Sequence, residues 1–331
     1  MTTKTILSRL ATGAAAMGLG LTMTAGVAAA ENWDMPTPYP EGNFHTQNII
    51  QFAEDVEEAT DGELTITVHS NGSLIEHPEI KNAVRGGQVQ AGEFLLSLLA
   101  NENAIFQIDS VPFLATSYEE AGKLWEVSRE KTEELLAQQN LKVLYAVAWP
   151  PQGIYTTEKL QTIDDLSGTS FRSYNNTTER LAQLAGAVPT QVEVPDLAQA
   201  FSTGRVDAMI TSPSTGVNVK AWDFLDYYAD TRAWLPKNII VVNQDAFDAL
   251  SPEVQEAVME AAGEAEARGW EMSMEETKTQ TEVLAENGIE VYEPSEELRD
   301  SLLEIGETMS AEWAERAGEE GQKILDAFLA N

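Results

Sequence analysis

The sequence predicts an α/β protein built from two lobes that face each other across a cleft. Three observations support this fold class. Residues 31–94 and 169–211 each alternate strand, helix, strand, helix and strand, an order typical of parallel strands joined by crossover helices. A buried strand bends at Pro150-Pro151, where the chain can cross between lobes. A helix of about 35 residues begins after Ser251, and at roughly 50 Å it is too long for one lobe.

The first unit begins with a strand and a helix that Asn43 caps. Residues Leu64–His69 alternate apolar side chains with threonine, which is typical of a half-buried strand. Pro78 opens a short helix, and residues 95–109 show no clear pattern. The other elements predicted up to the bend are a strand at 31–36, a helix ending near Ala59, a strand at 90–94, helices within 112–125 and 130–139, and a strand at 141–149.

The second unit follows the same logic. A run of helix-capping residues at 175–178 precedes an amphipathic helix, and Gly186 ends it. Ser251-Pro252-Glu253 is a strong start for the long helix, which Asn287-Gly288 ends. The remaining predicted elements are strands at 153–157, 169–174, 188–194, 206–211, 239–242 and 289–292, a helix at 196–202, and C-terminal helices over 295–329.

The domain boundaries follow from these elements. Residues 1–30 have a positive start and an apolar stretch that ends in Ala28-Ala29-Ala30, so we expect a secretory signal peptide cut after Ala30 rather than a membrane anchor. Lobe I is expected to contain residues 31–148 and about 214–250. Lobe II is expected to contain 149–213 and, with the lobe-spanning and C-terminal helices, about 251–331.

Composition limits the possible partners. The formal net charge of −34 argues against nucleic acid or anionic lipid as a partner. The absence of cysteine excludes disulfides, thiolate catalysis and zinc-thiolate sites. The three histidines, His45, His69 and His77, show no spacing typical of a metal site or a catalytic triad, and we interpret them as surface or loop residues. We predict no cofactor and no metal.

Two motifs carry a resemblance to a known family. Residues 166–176 read LSGTSFRSYNN, and residues 198–213 read AQAFSTGRVDAMITSP. Together they resemble the core of the DctP-like substrate-binding proteins of TRAP transporters, and the likeness extends over almost the whole chain after the signal. The resemblance implies a two-lobed periplasmic binding protein with a hinge. It also implies that Arg172 pairs with the carboxylate of an organic acid.

The chain departs from the family pattern in one place. Many members have an asparagine that touches ligand, within a GQENP motif after the Val-Asp pair, whereas this chain has Ala208–Pro213 there. This departure, together with Trp149 and Trp234 as candidate walls of the cleft, favours a ligand with fewer hydroxyls than a sugar acid. Hydroxy acids, sugar acids, keto acids and aromatic acids all remain open.

Arg172 is the strongest candidate binding residue. An arginine between Phe171 and Tyr174 on a core strand is costly unless it is paired. A structural salt bridge is one explanation. The other is bidentate hydrogen bonding to a ligand carboxylate, which the resemblance favours.

The other candidates lie at strand ends or near the crossing segments, where open α/β sheets bind ligands. Trp149 and Trp234 are either core residues or walls that contact ligand carbons. Glu93 is expected either to accept a hydrogen bond from a hydroxyl or amine of the ligand or to orient Arg172. The remaining candidate ligand-binding residues are Tyr174, Ser212, Asn238, Gln152, Asn43 and Ser73.

The expected function is capture of a small organic acid anion in the periplasm by a monomer, for delivery to the membrane permease subunits of a TRAP transporter. One alternative is a binding protein that serves another transport or sensory system. A further alternative is a secreted hydrolase or lyase that uses Glu93 and a tyrosine.

Overall fold

The computed structural model describes residues 30–330, so the predicted signal peptide lies outside the described residues except for Ala30. The strands are β1 (Glu31–Pro36), β2 (Leu64–His69), β3 (Ala91–Leu95), β4 (Leu141–Ala148), β5 (Gly153–Thr156), β6 (Ser170–Ser173), β7 (Val188–Gln191), β8 (Ala208–Thr211), β9 (Tyr227–Ala229), β10 (Lys237–Asn243) and β11 (Glu290–Tyr292). The helices are α1 (Phe44–Ala59), α2 (His77–Arg85), α3 (Tyr118–Ala137), α4 (Asn176–Leu184), α5 (Leu197–Ser202), α6 (Pro213–Asn218), α7 (Gln244–Asp248), α8 (Pro252–Glu286) and α9 (Glu296–Ala330).

Lobe I is built on two small sheets. Strands β1 and β2 pair in parallel, and β10 pairs antiparallel with β3 on one side and β4 on the other. Helix α1 begins at a cap in which the Asn43 side chain accepts a hydrogen bond from the backbone N–H of His45. Its buried face, which includes Phe52 and Val56, packs in one core with Tyr145 of β4. These contacts fix the positions of the ends of β3 and β10 that approach the cleft.

Lobe II is built on one sheet of six strands in the order β11-β9-β5-β8-β6-β7. Strand β6 lies between β7 and β8 and is parallel to both, as the strand-helix alternation predicted. The sheet core includes Phe171 of β6, Ile154 of β5 and Trp234. The carboxyl ends of β6, β7 and β8 therefore meet at one edge, which faces lobe I.

Two long helices connect the lobes. Helix α8 packs Val254 and Val258 into the lobe I core, and it packs Leu284 into a lobe II core. A side chain on Gly269 would collide with Val147 of β4, so this glycine permits the close approach of helix and sheet. Helix α9 packs Leu298 in lobe II and then reaches lobe I, with a kink at Gly318. No helix in residues 30–330 has the length and hydropathy needed to cross a bilayer.

The strand pairing differs from the predicted lobe boundary at β9. Residues about 214–250 were expected in lobe I, but β9 pairs with β5 and β11 in the lobe II sheet. Tyr228 of β9 packs against Tyr155 of β5 with ring centres 4.5 Å apart, which holds this segment in lobe II. The chain returns to the lobe I sheet at Lys237, where β10 begins.

One local prediction was wrong, and one unassigned segment is now defined. The predicted helices at 112–125 and 130–139 form the single helix α3, because the Ser128 hydroxyl donates to the Leu124 carbonyl and so does not interrupt the helix. The unassigned residues 95–109 form two short 3-10 segments, Leu96–Asn101 and Ala104–Ser110.

Candidate functional site

Arg172 lies on β6 at the floor of the cleft between the lobes. Its side chain is 2% exposed, and its Nε donates a 2.9 Å hydrogen bond to the carbonyl of Val192, just beyond β7. The guanidinium carbon lies 4.6 Å from the ring centre of Tyr174. Burial lowers the pKa of Arg172, and the negative charge of Glu193 opposes that shift. The guanidinium remains charged, because the pKa of arginine starts far above neutrality.

Arg172 lines a cavity of about 380 Å³, part of which is open to solvent. The cavity lies between the two lobes, a position where proteins commonly bind small ligands. Of the predicted site residues, the cavity brings together Arg172, Trp149, Tyr174, Ser212 and Gln152. It is also lined by Tyr39, His77, Leu95, Glu193, Val194, Thr211, Thr215 and Pro236.

Tyr174 and Gln152 form a hydrogen-bonded wall beside the arginine. The Tyr174 hydroxyl donates to Gln152 Oε1 at 3.1 Å, and Gln152 Nε2 donates to the carbonyl of Pro150 at 2.8 Å. Burial raises the pKa of Tyr174, while the charge of Arg172 lowers it, and the net shift is upward. The phenol is therefore neutral and fixed in place near pH 7.

Ser212 follows β8 and caps helix α6. Its Oγ accepts a 3.1 Å hydrogen bond from the backbone N–H of Thr215, and its hydroxyl donates to Thr215 Oγ1. The Ser212 carbonyl accepts from the hydroxyl of Tyr155. These bonds fix the polar edge of the cavity formed by Ser212 and Thr215.

Asn238 and Glu93 lie directly behind the cavity rather than in it. Asn238 Oδ1 accepts from Trp149 Nε1 at 2.9 Å and from the Tyr39 hydroxyl at 3.3 Å, and both donors belong to cavity-lining residues. Asn238 Nδ2 donates to Glu93 Oε1 at 2.7 Å. Burial raises the pKa of Glu93 to about 7, while hydrogen bonds from Thr37 and Asn238 oppose the shift. Glu93 thus supports the lobe I wall.

Three predicted site residues lie elsewhere. Trp234 is fully buried and belongs to the lobe II core, which also includes Leu298 and Met309 of α9. Asn43 donates through Nδ2 to Asn218 Oδ1 at 2.8 Å, a bond that joins α1 of lobe I to α6. Ser73 is exposed in the turn after β2 and does not line the cavity.

His77 and Glu193 are cavity residues that the sequence analysis missed. His77 was interpreted as a surface or loop residue, but it is 8% exposed. Its Nδ1 lies 3.1 Å from Glu193 Oε2, so the pair joins α2 of lobe I to the segment after β7 in lobe II. Glu193 lies near the end of the strand predicted at 188–194, and the rule that ligands bind at strand ends could have identified it. His45, also predicted as surface, is 1% exposed.

Other hydrogen bonds also join the lobes. Asn175 Nδ2 donates to Ser97 Oγ at 2.8 Å, and Gln107 Nε2 donates to Thr177 Oγ1 at 2.7 Å. With the Asn43–Asn218 bond, they connect the two lobes at three further places. The structure is therefore a closed form of the clamp.

Comparisons with known proteins agree with this architecture. Residues 37–316 match the family described as bacterial extracellular solute-binding protein, family 7 (DctP). Two similar solved structures are DctP6 and DctP7 of Bordetella pertussis, extracytoplasmic solute receptors described as binding pyroglutamic acid. DctP6 is 42% identical with a TM-score of 0.90, covering 91% of this chain and 100% of its own. DctP7 is 45% identical with a TM-score of 0.89, covering 90% of this chain and 99% of its own.

A third similar structure is a TRAP solute-binding protein from an unidentified marine microbe, described as specific for pyroglutamate. It is 39% identical with a TM-score of 0.90, covering 92% of this chain and 100% of its own. The family match spans most of the chain, and the solved structures extend the agreement to the whole fold. The chain therefore belongs to the DctP family, the extracytoplasmic solute-binding receptors of TRAP transporters, and it is a binding protein rather than an enzyme.

Proposed function

We propose that this receptor captures pyroglutamate, or a closely similar small cyclic monocarboxylate, in the cavity between its lobes. The observation that carries the proposal is the buried guanidinium of Arg172 in a small cavity. Its one hydrogen bond among the described residues uses Nε. The two terminal nitrogens are thus available for a bidentate contact with a ligand carboxylate.

The rest of the cavity favours a compact and weakly hydroxylated ligand. Trp149, Tyr39, Tyr174, Leu95 and Pro236 supply apolar surface around the arginine. Such surface packs well on the carbons of a five-membered ring. Three receptors that are 39–45% identical to this chain are described as binding pyroglutamate, which supports the same ligand here.

A ligand panel tests the proposal. The protein is unfolded, dialysed and refolded to remove bound solute, and its melting temperature is measured with pyroglutamate, proline, glucuronate and succinate. Ligand at 100 times its Kd adds about 2.7 kcal/mol to the free energy of unfolding, so pyroglutamate should give the largest upward shift. A larger shift with glucuronate or succinate would reject this ligand class.

We also propose that the chain is secreted into the periplasm through a cleaved signal peptide and delivers its ligand, as a monomer, to TRAP membrane subunits. Family membership supports this partner. An uptake assay in cells that express the receptor with its cognate permease tests it. Uptake should require both proteins, whereas uptake that is unchanged without the receptor would favour a sensory role.

A further inference from the structure

We propose that Glu193 is a specificity-determining residue that accepts a hydrogen bond from an N–H group of the ligand. The receptor would then select monocarboxylates that carry an N–H donor, and it would reject isosteric ligands that present an oxygen acceptor at the same place. This inference rests on the proposed function and deepens it. His77 would act as a positioning residue that holds Glu193.

The first support is placement. Glu193 and Arg172 line the same cavity. The hydrogen bond from Arg172 Nε to the Val192 carbonyl fixes the backbone next to Glu193 relative to the guanidinium. The Glu193 carboxylate is hydrogen-bonded to His77 and makes no hydrogen bond to Arg172 among the described residues, so it does not occupy the terminal nitrogens of the guanidinium. One small cavity therefore presents a cation for a ligand carboxylate and, beside it, an anion.

The second support is the hydrogen-bond pattern of His77, which fixes the role of each ring nitrogen. The backbone N–H of Leu95 donates to His77 Nε2 at 3.2 Å, so Nε2 is an acceptor. The proton of a neutral ring must then reside on Nδ1, which donates to Glu193 Oε2 at 3.1 Å. His77 thus orients Glu193 as an acceptor without needing a charge of its own.

The third support is the ionisation state of the Glu193 carboxyl and its capacity to accept hydrogen bonds. Burial raises its pKa, but the interactions with His77, the charge of Arg172 and the hydrogen bond from Gln191 together outweigh burial, and the net shift is downward. Gln191 Nε2 donates to Oε1 at 2.9 Å, so each oxygen accepts one bond from the protein. Each oxygen of a carboxylate can accept more than one bond. Glu193 therefore retains acceptor capacity and has no proton to donate.

These properties dictate what can be placed against Glu193. A ligand N–H satisfies the carboxylate, whereas an ether or ester oxygen would put two acceptors together with no proton between them. Such a mismatch in a site built for hydrogen bonding is heavily penalised, because the two acceptors repel each other and the remaining lone pairs of Glu193 gain no donor in place of water. A second ligand carboxylate would add charge repulsion.

The geometry also couples selectivity to closure. His77 begins α2 in lobe I, and Glu193 follows β7 in lobe II, so their bond exists only when the lobes meet. The hydrogen bond that orients the Glu193 acceptor thus forms only when lobe I closes onto lobe II. An open receptor would present Arg172 and a Glu193 that His77 does not orient, and the fit of the ligand N–H to Glu193 would be decided as the cleft closes.

The test compares two ligands that differ at one atom. The first is L-pyroglutamate, and the second is its lactone analogue of matched configuration, 5-oxotetrahydrofuran-2-carboxylate, in which a ring oxygen replaces the N–H. Calorimetry measures both affinities for the wild type and for Glu193→Gln. Glu179→Gln, which removes an exposed carboxylate on α4 of the same lobe, is the matched control.

The wild type and the control should bind the lactam on the order of 100-fold more tightly than the lactone. In Glu193→Gln the ratio should fall to within about tenfold, because the Gln amide can donate to the lactone oxygen. Equal binding of both ligands by the wild type, or an unchanged ratio in Glu193→Gln, would overturn the role of Glu193 alone. Folded wild type that binds neither ligand would overturn the proposed ligand class and this inference together.

A second pair of variants tests His77. His77→Ala removes the donor that orients Glu193 and should lower the lactam-to-lactone ratio several-fold, whereas His77→Asn retains a donor near the position of Nδ1 and should restore part of it. A purely structural role for His77 would weaken both ligands equally in both variants. That outcome would overturn its positioning role.

Discussion

The indole Nε1 of Trp149 donates a 2.9 Å hydrogen bond to Oδ1 of Asn238, which links a wall of the cavity to the buried layer behind it. The same oxygen accepts from the Tyr39 hydroxyl, and the amide nitrogen of Asn238 donates to Glu93. One side chain of β10 therefore holds two cavity-lining aromatic residues and one buried carboxyl. This arrangement makes Asn238 a structural support of the binding surface.

Replacement of Asn238 should destabilise the ligand-free protein. Asn238→Ala leaves the Trp149 and Tyr39 donors and the Glu93 acceptor without this partner, and each unsatisfied buried group costs about 1–3 kcal/mol. Urea unfolding measures the loss, which should be at least about 2 kcal/mol in total, because the two donors are left unsatisfied whereas Glu93 keeps its hydrogen bond from Thr37.

Asn32→Ala is the control, since Asn32 also accepts two side-chain hydrogen bonds, from Thr65 and Thr67, but is exposed to water. It should change the free energy of unfolding by no more than about 0.5 kcal/mol. Equal effects of the two variants would show that the buried network adds no stability.

Glu93 should make the stability of the ligand-free protein depend on pH. Burial raises the pKa of its carboxyl to about 7, above the ordinary value of 4.5 for the unfolded chain. Its stabilising contribution is therefore complete below pH 4.5 and is lost as pH rises towards 7, on the order of 3 kcal/mol in total. Glu93→Gln should remove this part of the pH dependence.

Urea unfolding at several pH values between 4.5 and 7 measures the effect. The wild-type curve minus the Glu93→Gln curve should slope downward with pH across this window. Parallel curves would show that Glu93 titrates alike in the folded and unfolded chain.

The hydrogen bond between Asn43 and Asn218 should contribute to ligand affinity, because it joins the two lobes. Asn218→Ala removes it but preserves the helix cap that Asn43 makes with the N–H of His45. Loss of about 1 kcal/mol should weaken pyroglutamate binding roughly fivefold with little change in ligand-free stability. Calorimetry and thermal melting measure the two quantities.

Gln183→Ala, on the exposed face of α4, serves as control and should leave affinity unchanged.

Small-angle scattering should also show a smaller radius of gyration with ligand, since the lobes close on it. Unchanged scattering at saturating ligand would argue against a clamp.

Secretion should leave Glu31 as the first residue, because the predicted cleavage site ends at Ala30. The intact mass of protein recovered from the periplasm measures this directly. A mass that retains Lys4 and Arg9 would reject the cleavage site.

Much of the fold could be predicted from the sequence because it is encoded locally. The alternation in Leu64–His69 and the start signal Ser251-Pro252-Glu253 identified β2 and α8 with nearly correct ends. The position of Arg172 in the cavity could be predicted because a buried cation needs a partner, and the family resemblance favoured a ligand over a salt bridge. These features depend on residues that are close together in the chain.

The rest depended on contacts between distant residues. His77 and Glu193 are 116 positions apart, and nothing in either local sequence specifies that they meet across the cleft. Asn238 and Trp149 are 89 positions apart, and only the pairing of β10 with β4 places one behind the other. The assignment of β9 to lobe II depended in the same way on its pairing with β5.

The most direct test of the account is the affinity of Arg172 variants for pyroglutamate, measured by calorimetry together with the ligand-free melting temperature. Arg172→Ala should cost on the order of 2–5 kcal/mol of binding, because a ligand carboxylate would be buried unpaired. Arg172→Lys should weaken binding substantially, since it keeps the charge but loses the fork. Ligand-free stability should change little, because the buried guanidinium makes a single hydrogen bond among the described residues, from its Nε. Near-wild-type affinity in Arg172→Ala, with a sharp fall in ligand-free melting temperature, would contradict the account.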